Sequence, residues 1–306
     1  MKPFLGLATA LTLILTGCFR EQQINVNIPA GKPTLIVECY PEAGEVVRLW
    51  LSRSVPINDF RLPDYDTTAF RDSATAVAEV LGFYDRLIPY LNERLLVPDA
   101  EVVVSYDGIM DTLRYVPPSI LKVVEALADN KLNYLAEYVS TRPLPADFFN
   151  RPIDLSIRWK EFLVTGNTQI LPPVPIDTVY FKQDKKGLFS MQTEWRDPNP
   201  GQTDYWRCVV DPGNRDSLRA IEFPDDIAVD GRLFIATGFD WTEGKELIAS
   251  IERINPSHYK FIESLEDAVS ANFNPFGQPA QVLSTVKGAV GVFEGVGATR
   301  KKVVVK

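Results

Sequence analysis

Alternation of apolar and polar residues dominates this chain and predicts β-strands. Residues 35–51 contain two alternating runs around a short polar loop, as in a β-hairpin. Residues 101–115 contain a second pair of runs, joined by Asp107 and Gly108, which readily adopt the positive φ angles of a type I′ turn. Residues 153–159 alternate without interruption, as expected for a half-buried strand.

The second half of the chain continues this pattern of short strands. Further strand-like runs lie at 176–182, 188–195, 205–210, 232–239, 247–254, 290–296 and 301–305. A turn at Gly297-Ala298 is expected between the last two runs. The three prolines of residues 171–175 predict a stiff connector that cannot pair within a sheet. We therefore predict a mainly β, antiparallel β-sandwich-like fold with two packed subdomains, residues 34–170 and 171–306.

Two or three short helices are predicted among these strands. Residues 77–95 have helical spacing, although Pro89 should break or kink the helix, and residues 120–127 form a shorter run. A third helix should begin at Asn255-Pro256, which suit a helix start. Its apolar stripe consists of Tyr259, Ile262, Leu265 and Val269. We interpret the stripes as faces packed onto the sheets, and a partner-binding face is the alternative.

The N-terminus has the pattern of an export signal. A basic start at Lys2 precedes an apolar run of about 12 residues, too short to span a bilayer. The run ends in Leu-Thr-Gly-Cys at 15–18, which resembles the lipobox of bacterial lipoproteins. We therefore predict a signal peptide over 1–17, diacylglycerol on the thiol of Cys18, and a tether over 18–33. An ordinary signal peptide with an incidental cysteine is the alternative.

The residue after the lipidated cysteine and the overall charge indicate where the protein works. In many Gram-negative lipoproteins an Asp at this position retains the protein in the inner membrane. The residue here is Phe19, so the resemblance favours the outer membrane, with the side undetermined. The formal net charge of −8 argues against nucleic-acid binding, which relies on Lys and Arg at phosphates. The predicted membrane contact is therefore the lipid on Cys18.

No catalytic, cofactor or metal site is predicted. His258 is the only histidine, and no Gly-x-Ser-x-Gly motif is present, so we interpret His258 as a surface or capping residue. Cys39 and Cys208 lie in separate strand-like runs and could form a disulfide or remain as buried thiols. The glycine-rich segment 288–297 lies between strand residues, where glycine permits close packing.

Two further patterns leave alternatives open. The aromatic residues of the C-terminal half could stack on sugar rings, although we favour a place in the core. They are Trp195, Tyr205, Trp206 and Trp241. A hydrolase built on paired carboxylates also stays open, because sequence does not show which carboxylates are close in space.

Several motifs together resemble a known family. They are Leu35-Ile-Val-Glu-Cys39, Leu51-Ser-Arg-Ser-Val-Pro56, Asp99-Ala-Glu-Val-Val-Val-Ser105, Ile170-Leu-Pro-Pro-Val-Pro-Ile-Asp177, Asp204-Tyr-Trp-Arg207, Ile254-Asn-Pro-Ser-His-Tyr259, Ala271-Asn-Phe-Asn-Pro-Phe-Gly-Gln-Pro279 and Gly291-Val-Phe-Glu-Gly295. With Cys18, they are similar to a family of Bacteroidota cell-envelope lipoproteins catalogued as domain of unknown function 4249. The chain departs from that pattern between residues 60 and 96.

The resemblance implies a role without supplying catalytic residues. Genes of this family often lie near TonB-dependent outer-membrane transporters, which implies an accessory protein of uptake or surface assembly. Our leading hypothesis is a non-enzymatic, lipid-anchored binding partner of such a transporter. A glycan- or peptide-binding surface lipoprotein is the second hypothesis, and a carboxylate-based hydrolase is the third.

Overall fold

The fold is mainly β, as the sequence predicted. The structure, a computed structural model, describes residues 33–55, 85–119, 122–123, 135–211, 220–222, 231–236, 241–273 and 281–306. Residues 33–306 cluster as one compact unit. Within the described ranges, no helix is long and apolar enough to cross a bilayer. The signal peptide and Cys18 lie outside the described residues.

Seventeen strands and two helices make up the regular structure of the described ranges. The strands are β1 Leu35–Cys39, β2 Val46–Arg53, β3 Glu101–Tyr106, β4 Ile109–Thr112, β5 Arg114–Val116, β6 Glu137–Pro143, β7 Pro152–Trp159, β8 Phe162–Gln169, β9 Ile176–Gln183, β10 Phe189–Arg196, β11 Tyr205–Asp211, β12 Ala220–Glu222, β13 Arg232–Ala236, β14 Glu246–Ile254, β15 Val286–Lys287, β16 Val290–Phe293 and β17 Val296–Val304. Helix α1 is described over residues 85–94, and helix α2 is Pro256–Phe273.

The first sandwich consists of two five-stranded sheets. Sheet I has the order β16-β1-β2-β6-β5, and sheet II has the order β15-β8-β7-β3-β4. Their inward side chains form one buried cluster, to which sheet I contributes Val37 and Leu49 and sheet II contributes Val104 and Ile157. The alternation read in the sequence is therefore the alternation between this core and the outside.

The second half of the chain forms two smaller sheets. Sheet III has the order β13-β10-β9, and sheet IV has the order β12-β11-β14-β17. Trp195 of sheet III packs against Trp206 of sheet IV with ring centroids 5.4 Å apart, and both are almost fully buried. The connector at residues 171–175 belongs to no strand, as its prolines predicted.

Two strands from the C-terminal part of the chain belong to the first sandwich. Strand β16 pairs in parallel with β1, placing Gly291 beside Val37, and β15 pairs with β8 of sheet II. Residues 286–293 therefore complete sheets that are otherwise built from residues 35–169. Nothing in the structure tests the proposed subdomain boundaries, which remain a prediction.

The predicted hairpins are confirmed. Strands β1 and β2 pair antiparallel, and so do β3 and β4. The turn between the latter has positive φ at Asp107 (46°) and Gly108 (76°), as a type I′ turn requires. Strand β7 has the expected alternation of buried and exposed positions.

Two local predictions were wrong. Gly297-Ala298 is not a turn, because residues 296–304 form one continuous strand, which follows β16 after the two residues Glu294-Gly295. The break predicted at Pro89 is absent, since α1 remains helical over residues 85–94, whereas a kink there stays a prediction. Buried Leu87 and Leu91 anchor α1 in a small apolar cluster, which offsets the cost of an interior proline. Most of the helix predicted at 120–127 lies outside the described residues.

The glycine-rich segment packs closely, as predicted. Gly291 has φ of 141°, and a Cβ at this position would collide with the carbonyl oxygen of Val37. A Cβ on Gly297 would collide with the carbonyl of Leu171 in the connector. Only a residue without a side chain lets these backbones approach each other.

Candidate functional site

A cleft of about 480 Å³ lies where the β1–β2 hairpin meets the outer face of sheet IV. We call it the junction cleft. One side comes from the hairpin and the other from β11, β14 and β17. Its lining residues are Tyr40, Glu42, Glu45, Val46, Arg48, Trp50, Arg207, Glu252, Val296 and Arg300.

The hairpin side of the cleft follows from the alternation of β2. Val47, Leu49 and Leu51 are buried in the sandwich core. The intervening Arg48 and Trp50 therefore point away from the core, into the junction cleft.

The opposite side is built from cross-strand neighbours of sheet IV. Arg207 pairs with Glu252 in the β11–β14 register, and Ser250 pairs with Arg300 in the β14–β17 register. Glu252 and Arg300 are thus diagonal neighbours on one face of the sheet. Trp206 lies on the opposite face of β11, in the core.

Each guanidinium group of the cleft is matched by a carboxylate. Arg300 donates two hydrogen bonds to Glu42, the longer 2.6 Å, and so ties sheet IV to the hairpin. Arg207 Nε lies 2.6 Å from a carboxylate oxygen of Glu252. These two atoms do not meet the angular requirement of a hydrogen bond, so the contact is an ion pair.

A third pair lies at the hairpin side. Arg48 Nη1 donates to Glu137 at 2.7 Å, and Lys122 donates to the other oxygen of the same carboxylate at 2.5 Å. Burial raises the pKa of Glu137, but the hydrogen bonds and charges of the two cations outweigh that effect and hold it below its usual value.

Burial governs the ionisation of Glu252. Its side chain is only 5% exposed, and desolvation raises its pKa, while Arg207 and Arg300 act in the opposite direction. Arg207 also lies over the ring of Tyr40, with the guanidinium carbon 5.1 Å from the ring centroid. The aromatic ring and the carboxylate together hold Arg207 at the edge of the cleft.

His258 is in the first turn of α2, as predicted, but it is not a surface residue. It is 1% exposed and stacks on Tyr40 with ring centroids 5.2 Å apart. Desolvation, aided by the charge of Arg207, lowers its pKa to about 3. Among the residues that the structure describes, its Nδ1 atom has no hydrogen-bond partner. His258 is therefore a neutral packing residue.

A buried carboxylate, which the sequence analysis did not single out, links the two halves of the chain. Glu294 accepts hydrogen bonds from Ser257 (2.6 Å), Thr168 (3.0 Å) and Asn255 (3.1 Å). Desolvation raises its pKa despite these donors. Thr168 Oγ1 also accepts from the backbone N–H of Gly295, which fixes the link between β16 and β17 against β8.

The two candidate disulfide cysteines are not joined by a disulfide in the structure. Cys39 is buried in the core of the first sandwich, and Cys208 is buried in the core of the second half. Burial raises the pKa of the Cys39 thiol, which makes it a poor nucleophile. Within the described parts of the chain, no group of three or more His, Cys, Asp or Glu residues could hold a metal ion.

The three tryptophans of the predicted aromatic cluster belong to the core, whereas Tyr205 is only partly buried. Trp195, Trp206 and Trp241 are 1%, 0% and 6% exposed, so none of them offers a ring face to a sugar. The aromatic residues of the junction cleft, Tyr40 and Trp50, were not among the candidates.

The apolar stripe of α2 is only partly covered. Tyr259 packs against Tyr205 of sheet IV with ring centroids 4.6 Å apart. Leu265 and Val269 are instead 44% and 48% exposed. The expectation that the whole stripe packs onto the sheets was therefore wrong, because only the first part of α2 reaches sheet IV.

Comparisons with known proteins identify no family. No protein-family profile matches the chain, and no curated protein matches it. A search of solved structures found a chain from a structure titled "Cytokine receptor complex - Crystal form 1A". That match has 12% identity and a TM-score of 0.24 and covers 73% of this chain and 86% of the other.

Proposed function

We propose that this chain is a lipid-anchored lipoprotein of the bacterial outer membrane that works, without catalysis, as a binding partner of another envelope protein. The basic start, the apolar run and the Leu-Thr-Gly-Cys tetrapeptide at 15–18 support the anchor. The rest of the chain has ample core to fold without a partner, so the tether carries a compact β body.

The order of the sequence motifs supports membership of the Bacteroidota lipoprotein family described above. By that analogy, the partner is a TonB-dependent outer-membrane transporter. The argument for this partner rests on the resemblance, and the argument for a binding role rests on the surface of the protein.

The observation that carries the binding role is the uncovered end of α2. Leu265 and Val269 are one helical turn apart and both exposed. Leu283, which is 50% exposed, donates its backbone N–H to Ser264 and so adds a third apolar side chain next to the helix. We assign this α2 patch, formed by Leu265, Val269 and Leu283, as the docking surface for the transporter.

Lipidation is tested by metabolic labelling. Cells that express the protein should incorporate radiolabelled palmitate into it, and a Cys18→Ala variant should incorporate none, because alanine lacks the thiol that accepts diacylglycerol. The variant should also leave the outer-membrane fraction, since the acyl chains supply the attachment. Equal labelling of the two proteins would refute the anchor.

Docking is tested by affinity purification of the tagged protein from mild detergent. The wild type should recover a TonB-dependent transporter. A Leu265→Glu/Val269→Glu variant should reduce recovery at least about tenfold, because buried apolar contacts dominate interface energies. The matched control is Met110→Glu/Leu163→Glu, which changes two other exposed apolar residues. Recovery of the wild type without any transporter would contradict the proposal, as would equal losses in both double variants.

A further inference from the structure

The junction cleft has the chemistry of a ligand site that the docking role does not use. It lies at the hairpin β1–β2, whereas the α2 patch is formed by residues of the helix and the segment after it. Its volume of about 480 Å³ is in the usual range for sites that bind small molecules.

The arginines of the cleft are each paired with a carboxylate. Arg300 is matched by Glu42, Arg207 by Glu252 and Arg48 by Glu137. The remaining carboxylate of the lining, Glu45, also acts on Arg300 through its charge. A ligand with a strong net charge would have to compete with one member of a pair, and it would leave the other member uncompensated. The pairing therefore disfavours a strongly anionic or cationic ligand.

The same pairs suit a ligand that carries many hydroxyl groups. A hydroxyl donates one hydrogen bond and accepts others, so it can bind a carboxylate oxygen and a guanidinium N–H at the same time. Arg300 and Glu42 present these groups in one plane, held by two parallel hydrogen bonds. Neighbouring hydroxyls can bridge such a pair without breaking it.

The cleft also offers aromatic surface beside these polar groups. Trp50 lines it and is only partly buried, and Tyr40 is held in place between contacts with Arg207 and His258. A ring that is apolar on its face and polar at its edge complements the C–H face of a sugar. Among small polyhydroxylated molecules, saccharides combine such a face with neighbouring hydroxyls.

We infer that the junction cleft binds an uncharged saccharide, with Trp50 stacking on a sugar ring and the Arg300–Glu42 and Arg207–Glu252 pairs accepting and donating hydrogen bonds to its hydroxyls. This inference is independent of the lipid on Cys18 and of the α2 patch. Failure of either proposal therefore leaves the other intact.

The test is calorimetric titration of the full-length lipidated chain in detergent. The probes are neutral gluco-, manno- and xylo-oligosaccharides of about four to six units, an oligogalacturonate of equal length and a zwitterionic peptide. At least one neutral probe should bind, with an affinity that changes less than about twofold between low and physiological salt, because no charges are neutralised. Binding of the charged oligosaccharide or the peptide alone would overturn the inference, as would the absence of binding by every neutral probe.

Variants assign the binding to the cleft. Trp50→Ala should weaken binding of the neutral probe at least about tenfold, a loss typical of one aromatic stacking contact. Tyr180→Ala, which removes a 39% exposed aromatic residue from β9, should leave it unchanged. Trp50→Leu serves as a second variant should Trp50→Ala fold poorly, since leucine keeps apolar bulk at this position but has no aromatic ring to stack on the sugar. Undiminished binding in Trp50→Ala, or in Trp50→Leu when that variant replaces it, would overturn the assignment.

Discussion

Replacing Gly291 by alanine is expected to cost at least about 4 kcal/mol of unfolding free energy. Two causes act together. The φ angle of 141° is unfavourable for any residue with a side chain, and the new Cβ would collide with the carbonyl oxygen of Val37. This carbonyl belongs to the backbone of the paired strand β1, so the collision is relieved only by separating β16 from β1.

Gly108→Ala is the matched control for Gly291→Ala. Gly108 also has a positive φ, 76°, but no atom lies within 4 Å of the position of a Cβ. The Gly108→Ala variant should therefore lose only about 1 kcal/mol of unfolding free energy, which is the cost of backbone strain. Chemical denaturation of the wild type and both variants gives the comparison. Similar losses for the two variants would show that the contact with β1 is unimportant.

Acid should destabilise the protein through His258. In the unfolded chain its pKa is near 6.5, whereas in the folded protein it is about 3. The unfolded state therefore binds the proton first as the pH falls. The contribution of neutral His258 to the free energy of unfolding is fully present above the unfolded pKa. It is lost progressively between about pH 6.5 and 3, and the loss between pH 7 and pH 4 is about 3 kcal/mol.

His258→Phe isolates this contribution. Phenylalanine can stack on Tyr40 but takes up no proton, so the variant should gain about 3 kcal/mol relative to wild type when the pH is lowered from 7 to 4. Any packing cost of the larger ring is the same at both pH values and cancels in the difference. Burial raises the pKa of Glu252 and Glu294, and these carboxyls favour the folded state as the pH falls, equally in both proteins. Parallel stability curves for wild type and variant would refute the assignment.

The sequence predicted the strands where one side of a strand faces a core. In β7 the side chain of every second residue points into the core of the first sandwich, so buried and exposed positions alternate over residues 152–159. Asp107-Gly108 encodes its own turn through local backbone preference. These signals depend only on residues that are close in sequence, so they can be recognised without knowledge of the tertiary structure.

The junction cleft could not be predicted in this way. Arg207 and Glu252 become neighbours only through the β11–β14 register, and the hairpin residue Glu42 reaches Arg300 only when the two halves of the chain meet. The sequence predicted the position of His258 in its helix, but it did not predict that the side chain is buried. The ring on which His258 stacks belongs to Tyr40, which is far away in sequence. One usable signal was present: the outward positions of β2 are Arg48 and Trp50, an unusual pair for a merely solvated face.

The parallel pairing of β1 with β16 has a consequence for biogenesis. Strand β1 cannot obtain this neighbour until almost the whole polypeptide has been made. Until then one edge of β1 stays open to pairing with other chains. Such long-range closure is slow, so the unfinished chain should depend on chaperones while it folds. A stop codon placed before β15 should then leave an aggregation-prone product.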